Sequence, residues 1–128
     1  MIINSRFKPA WWLRNAHLQT ILAKAFKKHQ HVPLHKSSLE TPDDDFVDLV
    51  WTDMPTKESK TPIVVLLHGL QGSAESHYAK GMLAAIKAQG WIGVLMHFRG
   101  CGGRPNRQAS SYHSGDTRDI TFFSQFTV

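Results

Sequence analysis

The sequence predicts an α/β fold with a mostly parallel sheet, and three observations predict it. Ile63-Val64-Val65-Leu66-Leu67 is apolar throughout and β-branched at its start, which suits a strand buried on both faces. A second apolar run over residues 91–98 follows a helical stretch over residues 76–89. Each run breaks into a glycine-rich loop, His68-Gly69-Leu70-Gln71-Gly72-Ser73 after the first and Arg99-Gly100-Cys101-Gly102-Gly103-Arg104-Pro105-Asn106 after the second. Strand, loop, helix, strand, loop, helix is the order of a doubly wound sheet. Functional groups in such sheets gather at the C-terminal ends of the strands.

The elements follow in chain order. Pro9 with Trp11 and Trp12 forms an extended lead-in. Over residues 13–28 the apolar positions Leu13, Leu18, Ile21, Leu22, Ala25 and Phe26 approximate one helix face. Asn15 can cap its start, and Lys24, Lys27 and Lys28 sit favourably at its C-terminal dipole. Such an amphipathic helix packs on the domain or lies on a membrane surface with the two tryptophans as anchors. Runs over 32–40 and 46–52 flank Thr41-Pro42-Asp43-Asp44-Asp45, a composition that turns the chain into a β-hairpin. The three aspartates lack the glycine and downstream glutamate of a calcium loop and read as turn residues. In the helix over 76–89, Tyr78, Met82, Leu83, Ala85 and Ile86 are expected to point inward, with Gly90 ending it. Asp116 or Thr117 opens a last helix through Phe123. Residues 1–31 thus form a lead-in and helix, and residues 32–128 belong to a single domain.

Composition narrows the functional classes. The 128 residues are 41% hydrophobic and 20% charged, ordinary for a soluble domain. The single cysteine, Cys101, excludes an internal disulfide framework and fits a reducing compartment. Without a signal-like N-terminus or an apolar stretch of about 18 to 20 residues, the sequence predicts a cytoplasmic protein. Much of the net charge of +5 is local, in Arg14, Lys24, Lys27, Lys28 and Lys36 and in Arg99, Arg104, Arg107 and Arg118, but no uninterrupted block of like charge suits a nucleic-acid arm.

The chemistry concentrates at the first glycine-rich loop. Acyl transfer builds negative charge on a carbonyl oxygen, and fixed backbone N–H groups at a strand end stabilise it. In His68-Gly69-Leu70 the Leu70 N–H is the best placed donor, with Gly69 and Gly72 letting the backbone approach a substrate. The same residues also suit a tight βα turn held by a hydrogen-bonded histidine. Cys101 could be a reactive thiol if Arg99 or Arg104 supplied positive charge, but reads more simply as a small loop residue. His29-x-His31-x3-His35 has loosely metal-like spacing without a carboxylate or cysteine and supports only adventitious metal capture. His97 and His113 read as structural.

Five motifs point further. Arg14-Asn15-Ala16-His17-Leu18-Gln19-Thr20 resembles an "RNxHLQT" opening. Asp44-Asp45-Phe46-Val47-Asp48-Leu49 with Trp51 resembles "DGDFxDLxW", with Asp44 in place of glycine. His68-Gly69-Leu70-Gln71-Gly72-Ser73 resembles "HGLxGS". The loop from Arg99 to Arg107 resembles "RGCxGxxNR", and Tyr112-His113-Ser114-Gly115-Asp116-Thr117 resembles "YHSGxT". In this order they resemble the YheT-type branch of the α/β-hydrolases over residues 7–123. The resemblance implies a partial α/β-hydrolase fold: N-terminal helix, β-hairpin, then βαβα. It also implies hydrolysis of carboxylic esters through a serine, without metal or organic cofactor. His68, Gly69, Leu70 and Gly72 would form the oxyanion loop, and Arg99, Gly100, Cys101 and Asn106 a strand-end loop lining or bracing the same end. The family's nucleophile sits in a Gly-x-Ser-x-Gly elbow, followed by an acid and a histidine. No serine here has that context: Ser73, Ser76 and Ser114 have Gln71, Ala74 and Tyr112 two positions before them. The triad is therefore expected beyond Val128, and the strand ending at Leu67 is expected to await the strand that carries the nucleophile. The implied partner is a small ester, with peripheral membrane contact as a further option and no nucleic acid. The alternative reading is a non-catalytic product that binds a partner or membrane through its N-terminal helix and basic surface.

Overall fold

A computed structural model describes residues 8, 10, 11, 14, 15, 17, 32–69, 72–113 and 115–126. Most of the helix predicted over 13–28 lies outside these residues, as do Leu70, Gln71 and Ser114. The described elements are β1 (His35–Glu40), β2 (Phe46–Trp51), β3 (Ile63–Leu67), α1 (His77–Ala88), β4 (Ile92–Met96) and α2 (Arg118–Phe126). They form one four-stranded sheet in the order β1-β2-β4-β3. The sheet is mixed. The hairpin returns β2 antiparallel to β1, β2 runs antiparallel to β4, and the helical crossover makes β3 parallel to β4.

Sequence explains the placement of each strand. Every residue of β4, Ile-Gly-Val-Leu-Met, is buried, as a central strand covered on both faces requires. On one face Val47, Leu49, Trp51, Ile92, Val94 and Met96 meet Phe123 of α2, whose ring lies 5.9 Å from that of Trp51. On the other, Val50 and Leu95 meet Ala79 and Leu83 of α1 together with Ala74. Gly93 permits the helix to approach, since a Cβ there would stand 2.9 Å from Leu83 Cδ2. Gly90, at φ +75, ends α1 with its N–H on the Lys87 carbonyl.

The inward face of α1 is narrower than its apolar pattern suggests. Leu83 and Ile86 are buried as expected, joined by Ala79, but Tyr78 and Met82 are 45% and 50% exposed and Ala85 is exposed. Positions 79, 83 and 86 face β4, whereas 78, 82 and 85 follow a neighbouring stripe that no described strand covers. β3 has the same character. Among the described strands it pairs only with β4, its residues 63–66 are half-buried, and Leu67 is 44% exposed. Among the described residues, no helix is long and apolar enough to cross a membrane.

Candidate active site

The parallel register aligns Leu67 with Met96, so His68 and His97 are the first residues past the ends of β3 and β4. Both are buried, at 3% and 6% exposure, with ring centroids 5.7 Å apart. His68 Nε2 accepts the Phe98 N–H at 3.1 Å. That bond leaves Nε2 unprotonated in the neutral ring, so Nδ1 carries the proton and donates to the Gly69 carbonyl at 2.7 Å. His97 Nε2 accepts the Ala74 N–H at 3.1 Å. Each imidazole thus reaches from its own strand end into the loop that follows the other strand.

These bonds fix both flanks of the first loop. The Gly69 carbonyl also accepts the Gly72 N–H at 2.9 Å, and the Gly69 N–H donates to the Tyr78 hydroxyl at 3.3 Å. A side chain at Gly72 would not fit, because a Cβ would lie 2.7 Å from both His68 Cβ and the Tyr78 hydroxyl. Around Gly69 there is open space. The N–H groups of Gly69, Gly72, Ser73 and Ala74 are all engaged. Leu70 itself lies outside the described residues. Phe98 stacks on Tyr112 at 4.6 Å, with the His68 ring edge-on to both, giving this end of the sheet an aromatic wall.

The second loop is anchored by charge. The Arg99 side chain, 4% exposed, forks to Asp119 through Nε (3.0 Å) and Nη2 (2.7 Å). It also forks to Asp43 at 2.5 and 3.2 Å and reaches Asp45 at 3.2 Å. Asn106 receives the Gly100 N–H and donates to Asp45 and to the Phe46 carbonyl. Gly100 and Gly103 take positive φ, which their lack of a side chain allows. The Arg99 guanidinium and the Thr41 hydroxyl hold the Asp43 carboxyl at about 2. Burial alone would push Asp45 up, but hydrogen bonds from Asn106 and the Arg107 and Phe46 amides outweigh it and leave it low. Arg99 is raised above its usual value by its bonds to Asp119 and Asp43. Burial, offset in part by Asp48, lowers His97.

Cys101 is half-buried at the rim of a pocket of about 720 Å³ that also touches Lys36, Asp48, Ala74, His97 and Arg104. Neither arginine is available to activate its thiol. Arg99 is committed to three aspartates, and Arg104 pairs with Asp48 and Ser38 while lying over the Phe46 ring. Of the metal-like histidines, His35 opens β1, while His29 and His31 lie outside the described residues. His113 receives the Gly115 N–H within its own turn. Sequence reasoning took Asp43 and Asp45 as turn residues alone and missed their bonds to Arg99. It also missed that His97 holds Ala74. The second follows from the pairing of β3 with β4, which places the two histidines at equivalent positions after adjacent parallel strands.

No family model matches the chain, and no solved structure matches it. Curated relatives do. Over 94% of its length the chain is 44% identical to "Putative esterase YheT" of Escherichia coli (strain K12), covering 35% of that protein. It is 26% identical over 97% of its length to "Protein abhd-3.2" of Caenorhabditis elegans, covering 33% of it. It is also 25% identical over 94% of its length to an "Abhydrolase domain-containing protein" of Dictyostelium discoideum, covering 31%. The chain therefore spans about a third of the length of these relatives.

Proposed function

We propose, because this chain belongs to the α/β-hydrolase family, that it supplies the oxyanion loop of a serine-dependent carboxylic-ester hydrolase. In this reading the serine, acid and catalytic histidine lie on the part of the domain outside these 128 residues. The enzyme works in the cytoplasm, on small esters, without a metal or organic cofactor. The observation that carries the reading is the loop after β3, pinned by His68 at Gly69 and by His97 at Ala74 at the C-terminal end of the parallel pair.

The chemistry follows from that placement. Attack of a serine oxygen on the ester carbonyl moves an electron pair onto the carbonyl oxygen. The N–H of Leu70 receives that charge, and the bonds that hold Gly69 and Ala74 fix the residues on either side of it. His68 acts only as a support, because both its ring nitrogens are occupied by backbone groups. One oxyanion donor is worth about 10² to 10³ in rate, whereas loss of the serine or histidine costs about 10⁶. The chain alone is therefore without measurable turnover.

The test is complementation. The 128-residue chain is mixed with a second polypeptide made from the part of the Escherichia coli relative that this chain does not cover, and hydrolysis of short-chain aryl esters is followed. Activity from the mixture and from neither piece supports the reading; equal activity from the 128-residue chain alone overturns it.

A second reading rests on Trp11, which is 82% exposed. A non-catalytic product would use it with the basic surface to bind an anionic membrane. Salt-sensitive binding to anionic vesicles that is lost on W11A would support it, and salt-independent or absent binding would dismiss it.

A further inference from the structure

Two features of the loop after β3 are unusual together. Its flanks are held by two imidazoles that each accept a backbone N–H, and both imidazoles are buried without a carboxylate bonded to the ring. A neutral imidazole accepts through one nitrogen only. Protonation turns that nitrogen into a donor facing another donor, so each bond exists only while its ring is neutral.

We propose that His68 and His97 form a reciprocal clasp whose neutral state positions the oxyanion loop, and that proton uptake by His97 releases the Ala74 end of that loop. His97 is thus a positioning residue. It touches no reacting atom and acts through Ala74. The oxyanion role rests on the proposed hydrolase reading; the clasp and its acid release do not.

The groups facing His97 set the direction of its response. From β1, Lys36 disfavours a charged imidazole, and from the neighbouring strand end so does His68. From β2, the Asp48 carbonyl and carboxylate favour it, but the carboxylate is already engaged by Arg104 and Ser38. Nδ1 of His97 has no hydrogen-bond partner among the described residues, and the Asp48 carbonyl accepts the His97 backbone N–H at 2.8 Å. Burial is the largest influence and works against the charge. The folded value is depressed, so the bond is intact above the ordinary histidine value of 6.5 and is lost as pH falls below it.

Isotope-edited NMR on the 128-residue chain tests this directly. At about pH 7.5 the His97 imidazole is expected as a neutral ring protonated at Nδ1, the tautomer its bond from Ala74 requires. As pH falls to about 5, hydrogen-exchange protection of the Ala74 amide should drop, by about tenfold per pH unit once opening is coupled to one proton. The Val94 amide in β4 monitors global unfolding and should keep its protection. His97→Gln places a non-titrating acceptor where Nε2 stood and should hold Ala74 protection constant over the same range, while His97→Ala should lose it at every pH. The proposal is overturned by an Nε2–H tautomer at His97 at neutral pH. It is equally overturned if Ala74 protection falls alike in the wild-type and His97→Gln chains, or falls only together with Val94. In the complemented enzyme, His97→Gln should remove the acid limb of ester turnover that the clasp produces. A mixture without turnover but with the NMR behaviour intact would reject the hydrolase reading and leave the clasp standing.

Discussion

Replacing Arg99 by methionine removes a cation while keeping much of the volume of its stem. The cost can be worked out from its partners. The guanidinium makes five hydrogen bonds to three carboxylates, and its side chain is 4% exposed. Asp45 is fully buried and Asp119 is 10% exposed, so R99M leaves two carboxylates in low dielectric without their cation. Breaking a buried pair from one side costs about 3 to 5 kcal/mol. Asp43 is 48% exposed and regains water when released, so its share resembles a surface pair at about 0.2 to 1 kcal/mol. Against a total stability on the order of 5 to 15 kcal/mol, R99M should lower the urea midpoint by one to several molar, at about 1 to 3 kcal/mol per molar. R99K should fall in between, since an ammonium cannot fork to Asp43 and Asp119 at once. D43N should cost less than about 1 kcal/mol. The assay is urea unfolding followed by circular dichroism. An R99M loss below about 1 kcal/mol, or a D43N loss equal to it, would refute the claim that Arg99 is the buried anchor of the second loop.

Three further outcomes follow from the same geometry. G72A should lose about 1 to 3 kcal/mol, because its Cβ collides with His68 and Tyr78, whereas G69A in open space should be nearly neutral; paired thermal melts decide this. Asp44 holds φ +59, so D44G should stabilise the chain by up to about 1 kcal/mol in the same melts; a destabilised variant would argue against backbone strain there. Acid unfolding should set in as pH falls from about 3.8 towards about 2. Asp43 and Asp116 are held at about 2 by Arg99 and Arg118, so their stabilising charge is present above the unfolded value and lost below it. A chain equally stable at pH 2 and pH 5 would contradict this.

The sheet could be read from sequence because its strands are marked by local pattern. An all-apolar run such as Ile-Val-Val-Leu-Leu has few alternatives, and Gly90 marks the end of α1 by conformational need. Long-range partnerships were harder to read. Arg99 and Asp43 are 56 residues apart, and nothing in a Pro-Asp-Asp-Asp turn announces a buried guanidinium. The width of the α1 face misled for a related reason: the 78, 82 and 85 stripe is apolar, yet what it would pack against is absent from the described sheet. His68 and the glycines stood out as candidates by their position after a strand, whereas the bond from Ala74 to His97 needs the parallel register of β3 and β4, which a single strand cannot reveal.

The central proposal is that this chain carries the oxyanion loop of a serine hydrolase and that the nucleophile belongs to the complementary part. Fluorophosphonate labelling read by intact-protein mass spectrometry tests it most directly, on the 128-residue chain alone and mixed with the complementary polypeptide. The account predicts no adduct on the 128-residue chain in either sample and one adduct on the complementary polypeptide in the mixture. A stoichiometric adduct on the 128-residue chain by itself would contradict it.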